Sequence, residues 1–258
     1  MSSATKIKTA FTLNNKVELI RGGSSYFSTL HEMIDNARKS IQLQVYIFEE
    51  DDTGKEVASR LINAANKGIK VQVLLDGYAS KGLSNGFKNS MRETGIQLRF
   101  FKPIFKGGNY YFGRRLHHKI VVCDGIVSLV GGINISDRYN DTPGTPAWLD
   151  WAIKVEGDAS FELFKLCNHC FTKNPEDWLV LTRQDITTGM DNNTHCPVRI
   201  RRNDWVMGKN EISASYMEML KNAQQELIIM SSYFIPSNFI RASAADKNVT
   251  GIPNTVCD

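Results

Sequence analysis

The sequence predicts an α/β fold in which a mixed sheet is flanked by helices on both faces. Three observations carry that prediction. Helical and strand-like apolar patterns alternate through the first hundred residues. The run IKVQVLLDG at 69–77 is a nearly continuous apolar strand of the kind buried in parallel or mixed sheets. Two further strand-like runs, LHHKIVVCD and IVSLVGG, are joined by a tight turn at Asp124 and Gly125.

Taken in order, apolar residues recur at helical spacing from Tyr26 to Arg38 (Phe27, Leu30, Ile34, Ala37), and SIQLQVYIF then alternates as a strand with its apolar face inward. GKEVASRLINAANKG is helical and stops at Gly68, before the strand IKVQVLLDG. FKNSMRETG is a third helix and precedes the strand IQLRFF. Between Phe101 and Arg115 the chain is rich in Gly, Lys and aromatic residues, which reads as a mobile loop rather than a core element. Farther on, ASFELFKLCNHCF is helical, and its Phe161, Phe164 and Cys167 face a core.

With 258 residues, 42% of them apolar and 22% charged, the chain is large enough to bury a substantial core. Its longest apolar stretches fall short of the roughly 20 residues a membrane-spanning helix needs, and no charged-then-apolar leader opens it. A cytoplasmic protein is expected. Five irregularly placed cysteines do not make a disulfide framework for a chain of this size, so reduced thiols are expected. The net charge of +4 is too small to mark a nucleic-acid binder, but it favours anionic partners such as a phosphate ester or an acidic membrane surface.

A weak internal repeat bears on domain organisation. DNARKSIQLQVYIF at 35–48 resembles KNAQQELIIMSSYF at 221–234 with a constant offset of 186 residues, pairing Asn36 with Asn222 and Ala37 with Ala223. Any two helix-strand units share some of this likeness. As a repeat, it divides the chain into a first domain at 1–184 and the start of a second, incomplete copy at 185–258.

The chemistry concentrates after the loop. In a strand, side chains alternate faces, so His117 and Lys119 point the same way and His118 points opposite. An imidazole that titrates near neutrality can act as a nucleophile or proton shuttle, and a neighbouring ammonium can hold phosphate oxygens and steady a pentacovalent transition state. Asn134, two residues past Gly131 and Gly132, can add a hydrogen bond to the same oxygens, and the glycines let backbone approach the ligand closely. Arg114 and Arg115 end the aromatic-basic loop, a mixture suited to interfacial membrane contact or to stacking on single-stranded bases, and because the loop leads directly into His117 a substrate-contact role is expected.

The run from His117 to Asn134 reads H-x-K-x4-D-x6-G-G-x-N, with Asp124 at the aspartate position. Here the sequence resembles the phospholipase D superfamily and, within it, the bacterial cardiolipin synthases and related phosphatidyltransferases. The resemblance extends from about Val17 to Arg241 and takes in AWLDWAIKVEGDA and SSYFIPSNF. It implies a phospholipase D-like mixed sheet and a site near a pseudo-twofold axis where two His motifs meet. One histidine attacks phosphorus and the other protonates the leaving alcohol. A phosphohistidine holds the phosphatidyl group until water or a second alcohol, such as the head group of phosphatidylglycerol, removes it.

The resemblance gives the catalytic set as His117, Lys119 and Asp124, the last an orienting or structural carboxylate. It makes Asn134 a phosphate contact, and with the reading of the residues above the expected substrate-binding set is Asn134, Gly131, Gly132, Arg114 and Arg115. It requires neither metal nor cofactor, and implies a phospholipid substrate and peripheral contact with an anionic membrane at its inner face; nucleic acid is not the expected partner.

The sequence departs from the family in having one such motif. Adding the 186-residue offset to position 117 gives 303, past residue 258, so a chain cut short before a second motif is expected. A homodimer that joins two copies of His117 is the alternative, in the manner of single-motif phosphodiesterases and nucleases; another is an inactive remnant that keeps a phosphate pocket. Cys167, His169 and Cys170 with His195 and Cys196 offer zinc-ligand types but lack zinc-site spacing. Arg199, Arg201 and Arg202 offer a surface for anionic lipid or nucleic acid, but such a run reads first as one solvated strand face.

Overall fold

The computed structural model describes residues 11–101, 105–106, 109–110, 115–182, 196–204 and 209–229. In chain order these form β1 (Asn15–Arg21), α1 (Ser24–Asn36), β2 (Ser40–Val45), α2 (Asp52–Asn66), β3 (Lys70–Asp76), α3 (Asn85–Glu93) and β4 (Gln97–Phe101). The two-residue strands β5 (Phe105–Lys106) and β6 (Asn109–Tyr110) follow, then β7 (Lys119–Cys123), β8 (Val127–Gly131), β9 (Trp151–Gly157) and α4 (Asp158–Phe171). The short pair β10 (Asn203–Asp204) and β11 (Lys209–Asn210) precedes α5 (Glu211–Asn222). Two compact units result, Ala10–Arg199 and a second that holds the described residues from Ile200 onward.

The first unit is built on a seven-stranded sheet in the order β1-β9-β8-β7-β2-β3-β4. Strands β2, β3 and β4 run parallel, as helix crossovers require, and β7 lies antiparallel to β2. The sheet is mixed and covered on both faces, as the sequence predicts. One face buries Ile41, Leu43, Val45, Val73, Leu75, Val121 and Leu129 against Phe27, Leu30 and Ile34 of α1 and Val57 and Leu61 of α2. Helix α2 is capped by Asp51, whose carboxylate accepts from the N–H of Gly54. Gly54 packs so closely on the Glu49 carbonyl that an added Cβ would lie 1.8 Å from that oxygen.

Helix α4 lies on the other face, over β2, β7, β8 and β9. Here the structure corrects the expectation that β2 turns its polar face away from the core. Gln42 and Gln44 are 1% and 2% exposed. Gln42 Nε2 donates to Asn168 Oδ1 (2.9 Å), Gln72 Nε2 to Gln97 Oε1 (3.0 Å) and Gln44 Nε2 to the carbonyl of Cys167 (2.8 Å). These amides tolerate burial because each Nε2 finds an acceptor on the sheet or on α4.

Two strand features escaped the sequence pattern. β1 is an edge strand paired along its length with β9, and its Leu19 remains exposed. Within the stretch read as a loop, β5 and β6 form a two-residue antiparallel ladder.

In the second unit, α5 ends at Asn222, and α1 ends at its offset partner Asn36. Both helices are followed by an extended alanine, Ala37 (φ −61°, ψ 141°) and Ala223 (φ −63°, ψ 125°). The strand expected to complete this second copy falls partly on residues 230–234, outside the described residues.

Candidate active site

The site lies at the C-terminal ends of the parallel strands β2 and β3, where open α/β sheets generally bind ligands because chain ends and loops converge there. Tyr46 extends from β2, Asp76 ends β3, and residues 115–118 lead into β7. The segment after β8 runs beside the end of β2, with Ile135 N donating to the carbonyl of Ile47 (3.1 Å).

His117 and Lys119 share one side, as strand alternation requires. Lys119 Nζ stands 3.4 Å from both ring nitrogens of His117 and 3.4 Å from its carbonyl oxygen. The Tyr46 ring lies 4.9 Å from the His117 ring, centre to centre, and 5.3 Å from Lys119 Nζ, so imidazole and ammonium share one aromatic wall. His118 points to the opposite face, where Nδ1 bonds to Gln44 Oε1 at 3.0 Å.

The electrostatics suit a nucleophile. Burial, reinforced by the Lys119 charge and opposed by Asp76, holds the His117 imidazole below its ordinary pKa, so the neutral ring with a free lone pair dominates at neutral pH. Burial also pushes Lys119 down to about 8, with Asp150 opposing. Below that pH the ammonium is charged and available to an anion.

The other predicted site residues separate. Asp124 is not brought to the histidine. It sits beyond the far end of β7, and its carboxylate accepts from the backbone N–H of Arg38 (2.8 Å), Lys39 (2.7 Å) and Ser40 (2.8 Å), so it acts on the architecture at the start of β2. Asn134 is buried: its Oδ1 accepts from Ile47 N (3.0 Å) and its Nδ2 donates to the Tyr139 hydroxyl (2.8 Å), which commits part of the amide expected to meet phosphate.

The glycine pair makes room for protein rather than for ligand. A Cβ on Gly131 would lie 2.5 Å from the Trp151 carbonyl oxygen, and one on Gly132 would lie 2.3 Å from an oxygen of the Asp150 carboxylate. Arg115 is held at 3.5 Å from the Asp76 carboxylate and 5.4 Å from the centre of the Tyr78 ring. Arg114 lies outside the described residues.

Sequence reasoning did not single out Asp76 or Asp150 as site residues. The available signal was position, a carboxylate closing a buried strand for Asp76 and one just before β9 for Asp150. Cys167 and Phe164 are buried in α4, as its periodicity predicts. Among the described residues no group of three or more histidine, cysteine, aspartate or glutamate side chains is arranged to hold a metal ion. His195 lies outside them.

Residues 30–143 match the family model described as cardiolipin synthase, PLD-like domain, and the chain therefore carries a phospholipase D-like domain. Over most of its length it is similar to bacterial cardiolipin synthases. Cardiolipin synthase B of Escherichia coli (strain K12) is 31% identical over 245 residues, covering 89% of this chain and 56% of the relative. A cardiolipin synthase of Oceanobacillus iheyensis is 28% identical over 250 residues, covering 94% and 50%. The chain thus spans about half the length of these relatives. Phosphatidylserine synthase of Haemophilus influenzae Rd KW20 shares the fold, with a TM-score of 0.54 at 16% identity over 76% of this chain and 49% of that one.

Proposed function

We propose that this chain supplies a catalytic half-site of a phospholipase D-type phosphatidyltransferase of cardiolipin synthase type, acting on phospholipid phosphodiesters such as phosphatidylglycerol. The observation that carries this reading is the His117 imidazole standing 3.4 Å from the buried Lys119 ammonium, in surroundings whose burial holds the ring below its ordinary pKa. A ring nitrogen of His117 attacks phosphorus, the bond from phosphorus to the leaving alcohol oxygen breaks, and Lys119 offsets the charge on the phosphoryl oxygens. Asn134, through its remaining amide hydrogen, and Arg114 and Arg115 are the further substrate contacts of this reading.

The leaving alcohol needs a proton, and His118 faces away in its bond to Gln44. The acid is therefore a histidine of a second motif, which later removes the proton of the acceptor alcohol as that oxygen attacks the phosphohistidine. In this reading residues 1–184 form the first phospholipase D-like domain and residues 185–258 begin the second, with the second histidine provided by the matching half of a longer polypeptide. A second copy of this chain is the alternative source.

The substrate calls for contact with a bilayer. Trp148 and Leu149 are 60% and 63% exposed two residues or fewer before Asp150, and the Arg138 guanidinium lies 5.8 Å from the Trp148 ring. Exposed aromatic and apolar side chains beside cations suit peripheral binding to an anionic membrane at its inner, cytoplasmic face. No helix among the described residues is long and apolar enough to cross a membrane.

The test uses vesicles of phosphatidylglycerol labelled with 32P, quenched in denaturant at alkaline pH to preserve phosphohistidine. Label on His117, absent from His117→Ala, is expected. Protein that cuts DNA while neither cleaving nor transferring phosphatidyl groups sinks the proposal. Light scattering of the native protein separates the two sources of the second histidine.

A further inference from the structure

The carboxylate of Asp76 is 0% exposed at the C-terminal end of β3. Such a group needs partners once it leaves water, and several converge on it. Its Oδ1 accepts from the backbone N–H of Tyr78 (2.9 Å) and Ala79 (3.1 Å) and faces the Arg115 guanidinium at 3.5 Å. Its Oδ2 accepts from the N–H of Leu116 at 2.9 Å. The first two bonds close the turn after β3. The contacts with Arg115 and Leu116 reach a distant part of the chain, the two residues immediately before His117.

The β7 ladder begins at Lys119, which pairs with Val45, so His117 stands outside the strand pairing. Leu116 is anchored twice, by its N–H on Asp76 and by its buried side chain, which clusters with Leu74 and Phe171.

We propose that Asp76 is the positioning residue of the reacting imidazole: by tying Arg115 and Leu116 to the end of β3, it fixes where His117 stands against Lys119 and Tyr46. The proposal rests on His117 being the nucleophile. The same carboxylate acts on the ring through charge. Lys119 from β7 lowers the proton affinity of the imidazole and Asp76 from β3 raises it. Tyr46 from β2 presents an uncharged ring face, Arg115 shares Asp76, and Asp150 acts on Lys119. When a ring nitrogen bonds to phosphorus the imidazole becomes cationic, and the Asp76 anion opposes the Lys119 charge at that moment.

The variant Asp76→Asn tests this because it keeps the shape but cannot accept on both sides. Its NH2 must face either Leu116 N–H or the Tyr78 and Ala79 pair. In the full protein, turnover on phosphatidylglycerol vesicles and the NMR titration of the His117 ring, assigned by its loss in His117→Ala, are read together. The expected result is a kcat lower by about 10²-fold with KM nearly unchanged. The His117 pKa is expected to move further down, because the anion that raises it is gone. A folded variant with unchanged kcat and unchanged His117 titration overturns the proposal.

If Asp76→Asn does not fold, the unaltered protein decides through amide exchange. Leu116 N–H exchanging as slowly as the amides of β7 supports the clamp, and exchange at the rate of an open loop overturns it. A native protein that shows the slow Leu116 exchange but no phosphatidyl transfer sinks the functional reading and leaves the clamp standing.

Discussion

The two ends of β7 use charge in opposite ways. Lys119 and Asp124 belong to one sequence motif and stand five residues apart, roughly 17 Å along a strand. At the Asp124 end three backbone N–H groups converge on the carboxylate, and Asp124 itself takes the left-handed conformation at φ 56°, which aspartate tolerates better than most residues. At the Lys119 end the ammonium is buried against an aromatic ring and an imidazole, with no carboxylate within ion-pair distance among the described residues. A charge surrounded by matched partners builds structure. A charge kept from such partners costs stability and is available to a ligand.

The largest effect that can test this contrast is on His117. His117→Ala is expected to lower phosphatidyl transfer by at least about 10³-fold while leaving thermal unfolding nearly unchanged, since the side chain is only half-buried and makes no short hydrogen bond. Turnover and a melting curve on the same preparation check both halves. A variant that melts early would break the contrast by making this end structural too.

Lys119→Met is expected to cost about 10²-fold in turnover without loss of stability, because it replaces a partly desolvated ammonium with an apolar side chain of similar length. In the unaltered protein, activity should rise as His117 loses its proton below the ordinary histidine value, then fall as Lys119 loses its own at about 8. A pH profile of kcat/KM reads both limbs, and Lys119→Met should lack the basic one.

Asp124→Ala inverts the pattern. It orphans the N–H groups of Arg38, Lys39 and Ser40 and is expected to cost about 2 kcal/mol of stability, with turnover per folded molecule unchanged. Denaturant unfolding measures the first and titrated active enzyme the second. The smallest effect is expected from Gly132→Ala. Its Cβ would displace the Asp150 carboxylate, and losing the anion that supports Lys119 should move the basic limb below about 8.

The regular part of the fold and the reacting pair were legible in the sequence, because each rests on a short period. Helical spacing marks α1, α2 and α4 directly, and the alternation of a strand places His117 and Lys119 on one side with His118 opposite. β1 was not legible, because Val17 and Leu19 remain exposed and its pattern resembles that of a surface segment. Asp150 was visible within the run AWLDWAIKVEGDA, but its effect on Lys119 was not.

The amino-acid order by itself therefore determined the alternation of helices and strands, the hairpin at Asp124 and Gly125, and the pairing of an imidazole with an ammonium. All of these follow from residues within a few positions of one another. The tertiary structure alone decided that Gln42 and Gln44 are buried under α4, that Gly132 makes room for Asp150, that Asp124 serves the start of β2, and that Asp76 grips the segment before His117. Each depends on groups that meet only when distant strands pair in one sheet, and no local period in the chain encodes which buried carboxylate will find which backbone N–H.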